Sequence, residues 1–240
     1  MIAILSATWD EIEGIRNDLL VTQKGVWDEL EFVMGNLYEK SVLLGRTGVG
    51  IRRARKGTGF VIQKFKPDLI VCAGFGGALS PELKLGDIVI GEWVLSLRKN
   101  ERIKLLSDLP KLGNKFKKGG ILTENRFVHD PIEKKQLFES SGALVVDMET
   151  WGVAEAALQS RTDVLSIRSV SDDSLRELPS MGSIFNNRGS IDKKKALFYF
   201  MRYPAYILPF LRFRILDWRE SSNSLSQFLK DTLPNIISDG

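Results

Sequence analysis

Two acidic residues sit where their spacing suggests chemistry. Val146-Asp147-Met148-Glu149-Thr150 runs into a helix of small residues, and the next β-branched strand ends in Ile167-Arg168-Ser169-Val170-Ser171-Asp172. That spacing is an αβ unit, with Glu149 opening the helix and Asp172 at the carboxyl end of the following strand, where open α/β sheets gather ligands. One carboxylate is placed to grip a polar substrate and the other to act as an acid, both facing one crevice. The carboxylates do not stand alone: Ser171-Asp172-Asp173-Ser174 also reads as a helix N-cap.

The elements that must position them follow from an alternation of short apolar runs with longer helical patterns, which is the pattern of an α/β fold. Ile2 to Ser6 reads as the first strand and Asp10 to Leu20 as a helix. Trp27 to Leu44 reads as antiparallel strands turning near Gly35-Asn36, followed by the glycine loop Arg46-Thr47-Gly48-Val49-Gly50 and a helix over 51–64. Strands are expected at Asp68–Ala73, Asp87–Trp93, Gly119–Thr123, Ala143–Val145 and Val164–Val170, with helices at Pro131–Ser140 and Ser224–Leu233. Gly74-Phe75-Gly76-Gly77-Ala78 reads as a loop whose backbone amides, around Gly74, can approach a ligand. Neither glycine loop carries a Walker ending or the dinucleotide fingerprint, which argues against a triphosphate or dinucleotide.

At 240 residues and 43% hydrophobic the chain can bury one sizeable core, so a single domain over 1–240 is expected. Lys and Arg exceed Asp and Glu by 34 to 30, with basic runs at Arg52–Lys56, Lys115–Lys118 and Lys193–Lys195. Such runs are solvated faces or sites for phosphate or anionic lipid, and without a nucleic-acid motif no nucleic-acid partner is expected. One cysteine, Cys72, and one histidine, His129, exclude a disulfide within the chain, a cysteine cluster and a multi-histidine metal site. The amino-terminal residues read as a strand with no leader, so a cytoplasmic location is expected, at most peripheral to the inner membrane face.

Taken in order, Ile4–Ile12, Arg46–Gly50, Lys66–Ile70, Ala73–Leu79, Leu85–Val89, Val146–Glu149 and Arg168–Asp172 resemble the nucleoside phosphorylase/nucleosidase superfamily. The nearest look is that of methylthioadenosine/S-adenosylhomocysteine nucleosidases and hopanoid-associated nucleoside phosphorylases. The resemblance implies a phosphorylase/hydrolase-like three-layer α/β/α fold with a mixed central sheet, cleavage of the N-glycosidic bond of an adenine nucleoside by water or phosphate, and a homodimer. It implies no metal or organic cofactor, with phosphate as the one optional co-substrate.

Carried over residue by residue, the resemblance makes Asp172 the acid at N7 of the departing purine. Glu149 then holds the ribose hydroxyls, Met148 packs on the sugar, and Phe127 stacks on the base beside the backbone of Val128. Glu11 falls where hydrolytic members activate water, and Phe75 stands where they usually have a serine that helps hold the nucleophile. Arg46 and Arg168 are the residues that would contact phosphate in a phosphorylase. Hydrolysis of methylthioadenosine-like substrates, phosphorolysis of a lipid-linked adenosine, and a non-catalytic nucleoside-binding or membrane-surface protein all remain open.

The chain departs from the nucleosidases at its carboxyl end. An apolar extension at about 191–218 is dense in aromatics, with arginines and prolines that speak against a spanning helix. It reads as broken amphipathic helices, either packed on the core or in peripheral contact with a membrane through 193–218.

Overall fold

β1 (Ile2–Ser6) is entirely buried, flanked by parallel β4 (Lys40–Arg46) on one side and parallel β5 (Leu69–Ala78) on the other. The computed structural model describes residues 1–108, 116–175 and 193–238. Beyond β4, β3 (Leu30–Leu37) and β2 (Leu20–Trp27) continue the sheet as an antiparallel meander. In the other direction come β9 (Ala143–Asp147), β8 (Lys117–Thr123), β6 (Ile88–Ser96) and β10 (Asp163–Asp172), with β7 (Glu101–Lys104) hanging from β6. β10 also pairs in parallel with β5, so these strands close into a ring at that end of the mixed sheet.

Helices cover both faces. α2 (Ile51–Phe65) and α4 (Thr150–Ser160) pack together on one side, burying Ala54, Val61, Ile62, Trp151, Val153 and Ala157 against the sheet. α1 (Glu13–Asp18) and α7 (Trp218–Ser238) cover the other, where Ile12, Ile15, Leu225, Leu229 and Leu233 meet Ile4, Val71 and Ile167. α3 (Pro131–Ser141) lies over β9, begun by Asp130, whose side chain accepts from the Ile132 amide. Between β10 and α7 stand α5 (Lys193–Arg202), α6 (Ile207–Arg212) and a π-helical turn, Phe213–Asp217. The three-layer α/β/α architecture is the one expected.

Several local expectations are corrected. The turn placed at Gly35-Asn36 lies inside β3; the hairpins turn instead at Asp28-Glu29 and Tyr38-Glu39, with positive φ at Asp28, Tyr38 and Glu39 as tight hairpins need. Gly35 is a close-approach residue, since a β-carbon there would stand 2.2 Å from the Leu20 carbonyl oxygen where β2 bulges. The helix expected over 10–20 is confined to α1, the last helix is longer than 224–233, and Gly74–Ala78 is not a loop but the continuation of β5. β5 stays a strand because it pairs with β10 along that stretch and picks up β9 at Gly77-Ala78. The first residues of the extension, 191–192, lie outside the described part.

Candidate active site

The carboxyl ends of β1, β4, β5, β9 and β10 bring the candidate residues to one rim of the sheet, on two ionic clusters. The first is built around Arg168 of β10, which is 1% exposed. Its Nη2 lies 2.6 Å from Asp147 Oδ2 and donates to Thr150 Oγ1 at 2.7 Å and to Cys72 Sγ at 3.0 Å. Asp147 is held in turn by the Thr123 hydroxyl at 2.6 Å and the Thr150 amide at 3.0 Å. Burial opposes the charge on Arg168, but Asp147, Cys72, Glu149 and Glu11 around it outweigh that and raise its pKa.

Glu149, the residue before α4, is buried, and its Oε1 accepts the Gly50 amide at 2.9 Å. Its Oε2 receives no hydrogen bond among the described residues. Burial and the neighbouring Asp147 push this carboxyl up to about 8, with Glu11 adding to the rise and Arg168 opposing it. Glu11 sits in the turn after β1. Its Oε2 accepts the Thr8 amide at 2.7 Å, in the manner of a capping box, and its Oε1 accepts the Phe75 amide at 3.1 Å. Burial raises its pKa as well, against the pull of these amides and of Arg168.

Gly74 makes this cluster feasible. A β-carbon there would stand 2.2 Å from Arg168 Nη1 and 2.8 Å from Glu11 Oε1, so the bare backbone is the floor on which both side chains lie. Phe75 contributes its amide to Glu11, and its ring meets Trp218 edge-on at 5.0 Å. Trp218 meets Phe213 at 6.0 Å, and Phe213 meets Phe127 at 6.4 Å. This aromatic arch joins the extension to the segment before α3, where Phe127 stacks nearly parallel to His129 and Val128 is buried. Met148 is half-buried beside Glu149.

The second cluster is at the tip of β10. Asp172 is fully buried; its Oδ1 accepts the Ser171 hydroxyl at 2.7 Å and its Oδ2 contacts the ammonium of Lys134, also fully buried, on α3. Lys134 Nζ also donates to the Asp173 carbonyl at 2.8 Å. A β-carbon on Gly77 would stand 3.3 Å from Asp172 Oδ2, so the β5 backbone passes directly beside the carboxyl.

Sequence reasoning did not single out Lys134, Thr150, Thr123 or Trp218, and it gave Asp147 no role of its own. Lys134 had a readable signal, because it shares a helical stripe with Leu137, Phe138 and Ser141 that faces the protein, whereas Lys135 beside it is exposed and pairs with Glu139. Arg46 is brought to the rim, but Glu31 on β3 engages it, and Arg168 is engaged by Asp147, so both arginines already have carboxylate partners. Among the described residues no cluster of His, Cys, Asp or Glu is arranged to hold a metal.

Comparison with known proteins adds to this geometry. The family model described as the phosphorylase superfamily matches residues 1–104 and 97–188. A 5′-methylthioadenosine/S-adenosylhomocysteine nucleosidase of Shewanella halifaxensis is 28% identical over 193 residues, covering 70% of this chain and 82% of the relative. Among solved structures, the nucleosidase of the same kind from Neisseria meningitidis, in complex with methylthio-immucillin-A, superposes with a TM-score of 0.73 at 20% identity and 97% coverage of both chains. Futalosine hydrolase of Helicobacter pylori superposes equally well, with a TM-score of 0.73 at 19% identity and the same coverage.

Proposed function

Since the chain belongs to the phosphorylase superfamily, we propose that it cleaves the N-glycosidic bond of an adenine nucleoside of the methylthioadenosine type, with water as the nucleophile. The observation that carries this reading is the pair of buried carboxylates, Glu149 just beyond β9 and Asp172 at the end of β10, both strands pairing with β5, in opposite electrostatic surroundings. Breaking the bond to the base leaves positive charge on the ribose and negative charge on the purine, so a site for it needs an anionic half and a proton-donating half.

In this reading Glu149 uses its unengaged Oε2 for the ribose hydroxyls and, once ionised, stabilises the cationic ring, with Met148 against the sugar. Asp172 delivers a proton to N7 of a base stacked on Phe127 and read by the backbone near Val128. Glu11, held by the amides of Thr8 and Phe75 over Gly74, takes the proton of the attacking water. Phe75 leaves that support in place, because what it gives Glu11 is its amide. Water is favoured over phosphate because Arg46 and Arg168 are occupied by Glu31 and Asp147. All the groups required are supplied by protein and water, so no metal or organic cofactor is invoked.

A second reading, phosphorolysis of an adenosine carrying a lipid at its 5′ end, draws on the extension. Phe210 and Phe213 are buried with Phe127 and Trp218 packed against their cluster, yet Leu197, Phe198, Met201, Leu208 and Leu216 point outward on the same helices as exposed Arg202 and Arg212. In this reading that face rests on an anionic bilayer, each basic residue near the surface contributing about 1 kcal/mol. No helix among the described residues is long and apolar enough to cross a membrane. A homodimer, proposed on family precedent alone, is the rival cover for the same face. Sedimentation with anionic vesicles at low and high salt separates the two: salt-sensitive binding supports the bilayer, and a dimer that stays in the supernatant excludes it.

The deciding assay measures adenine release from methylthioadenosine and from 5′-alkylated adenosines, with and without phosphate. Phosphate-independent release supports the hydrolase, strict phosphate dependence selects the second reading, and no release from any of them removes both.

A further inference from the structure

Lys134 is a buried cation on the helical stripe that also carries Leu137 and Phe138, and it touches the acid of the proposed reaction. Asp172 accepts on both oxygens, from Ser171 on Oδ1 and from Lys134 on Oδ2, which is the bonding pattern of a carboxylate with its proton held next door. Any proton that Asp172 passes to a leaving base must come from a donor in contact with it, and of the two the ammonium is the one able to release it. We propose that Lys134 is the proton store for Asp172, passing to Oδ2 the proton that Asp172 delivers to the departing purine. The inference rests on the N-glycosidic reaction proposed above.

The balance is as follows. The C1′–N9 bond breaks and its electron pair goes to the purine; the Lys134 Nζ–H bond breaks as its proton passes to the Asp172 carboxylate and on to N7, so that Asp172 is again a carboxylate and Lys134 is left as a neutral amine. The attacking water gives its oxygen to C1′ and a proton to Glu11. The enzyme thus ends one proton poorer at Lys134 and one richer at Glu11, and exchange with solvent after product release restores both. The second Lys134 bond, to the Asp173 carbonyl at 2.8 Å, keeps Nζ aimed at Oδ2 while its charge changes. Other ionisable groups on the elements around the pair are Asp173 just after β10; Arg126, His129 and Asp130 before α3 and Glu133 in its first turn; Asp147 at the end of β9 and Glu149 beyond it; and Asp217 in the π-helical turn. β5 presents only backbone at Gly77.

The test uses Lys134→Met and Lys134→Arg, with kcat followed against pH on two substrates: methylthioadenosine, and a riboside whose nitrophenolate leaving group needs no proton. On the nucleoside the expected order is Lys above Met above Arg. The Met variant leaves Asp172 to take its proton from solvent, so turnover falls without being abolished. Arg preserves charge and hydrogen bonding but does not release a proton, so it should fall about 100-fold, as low as Asp172→Asn. On the nitrophenyl riboside both variants should turn over at rates close to wild type. If Arg restores nucleoside turnover with an unchanged pH profile, the pair is a structural ion pair and the proton store is wrong. Equal losses on both substrates would also overturn it, by assigning the effect to a damaged site. Failure of the wild type to release base removes the proposed function first, a result distinct from either of these.

Discussion

The Arg168 cluster and the Lys134–Asp172 pair are both buried and both ionic, yet their charge balances differ. Around Arg168 one cation faces Asp147, Glu149 and Glu11; burial raises the carboxyls of both Glu149 and Glu11, and at Glu149 the neighbouring Asp147 and Glu11 add to the rise. At the tip of β10 one cation faces one carboxylate, and every remaining polar atom of the pair is matched by a hydroxyl or carbonyl. The contrast teaches that one strand can carry two sites of opposite charge balance: in the proposed reaction the middle of β10, at Arg168, would gain when positive charge appears on a ligand, and its carboxyl end, at Asp172, when a proton must leave. A glycosidic bond that breaks into a sugar cation and a base anion needs that division of labour.

The largest expected effect comes from removing the proton-donating half. Asp172→Asn should lower kcat on a nucleoside by at least about 100-fold, the usual scale for a general acid, while ligand binding survives. A purified variant turning over near the wild-type rate would erase the distinction between the two clusters. Removing the cation of the other half acts on stability instead. Arg168→Met leaves Asp147 buried without its partner, at a cost of about 3–5 kcal/mol, read as a drop in Tm or in the denaturant midpoint; a change within experimental error would mean the carboxylates are solvated or protonated in the native state.

A smaller effect separates the clusters by pH. Glu149, ordinarily near 4.5, is pushed up to about 8 in the fold, so between those values the native state holds a proton that the unfolded chain has released. Stability must therefore fall as pH rises through that window, with a limiting slope of about 1.4 kcal/mol per pH unit from this one group. Glu149→Gln removes the slope, so its Tm should gain on the wild type steadily from about pH 5 to about pH 8. Parallel curves would show that Glu149 is not the strained carboxyl.

Much of this arrangement was legible in the sequence, for identifiable reasons. Strand and helix alternation fixed the layers, and the αβ spacing carried Glu149 and Asp172 to their strand and helix ends because local periodicity determines such placements. What escaped reading depended on long-range neighbours. Gly35 looked like a turn until β2 came within 2.2 Å of its missing β-carbon, and the glycines after Ala73 looked like a loop until β10 paired with them. Lys134 was hidden by its neighbour Lys135 within an ordinary-looking charged helix, and its burial makes sense only once Asp172 is brought against it. The extension read as one apolar stretch, whereas the fold divides it into rings that arch toward Phe127 and a face that points outward.

The central claim is that the Arg168 cluster favours positive charge on the sugar. Its most direct test is calorimetric titration with two adenine nucleoside analogues of equal shape, one carrying a ring ammonium in the sugar and one a neutral carbocycle. The account predicts that the cation binds at least about tenfold tighter, a difference of about 1.4 kcal/mol. It also predicts that this preference grows as pH rises toward about 8 and Glu149 ionises, and that it disappears in Glu149→Gln. Equal affinity for the two analogues at every pH, or an undiminished preference in Glu149→Gln, would contradict it.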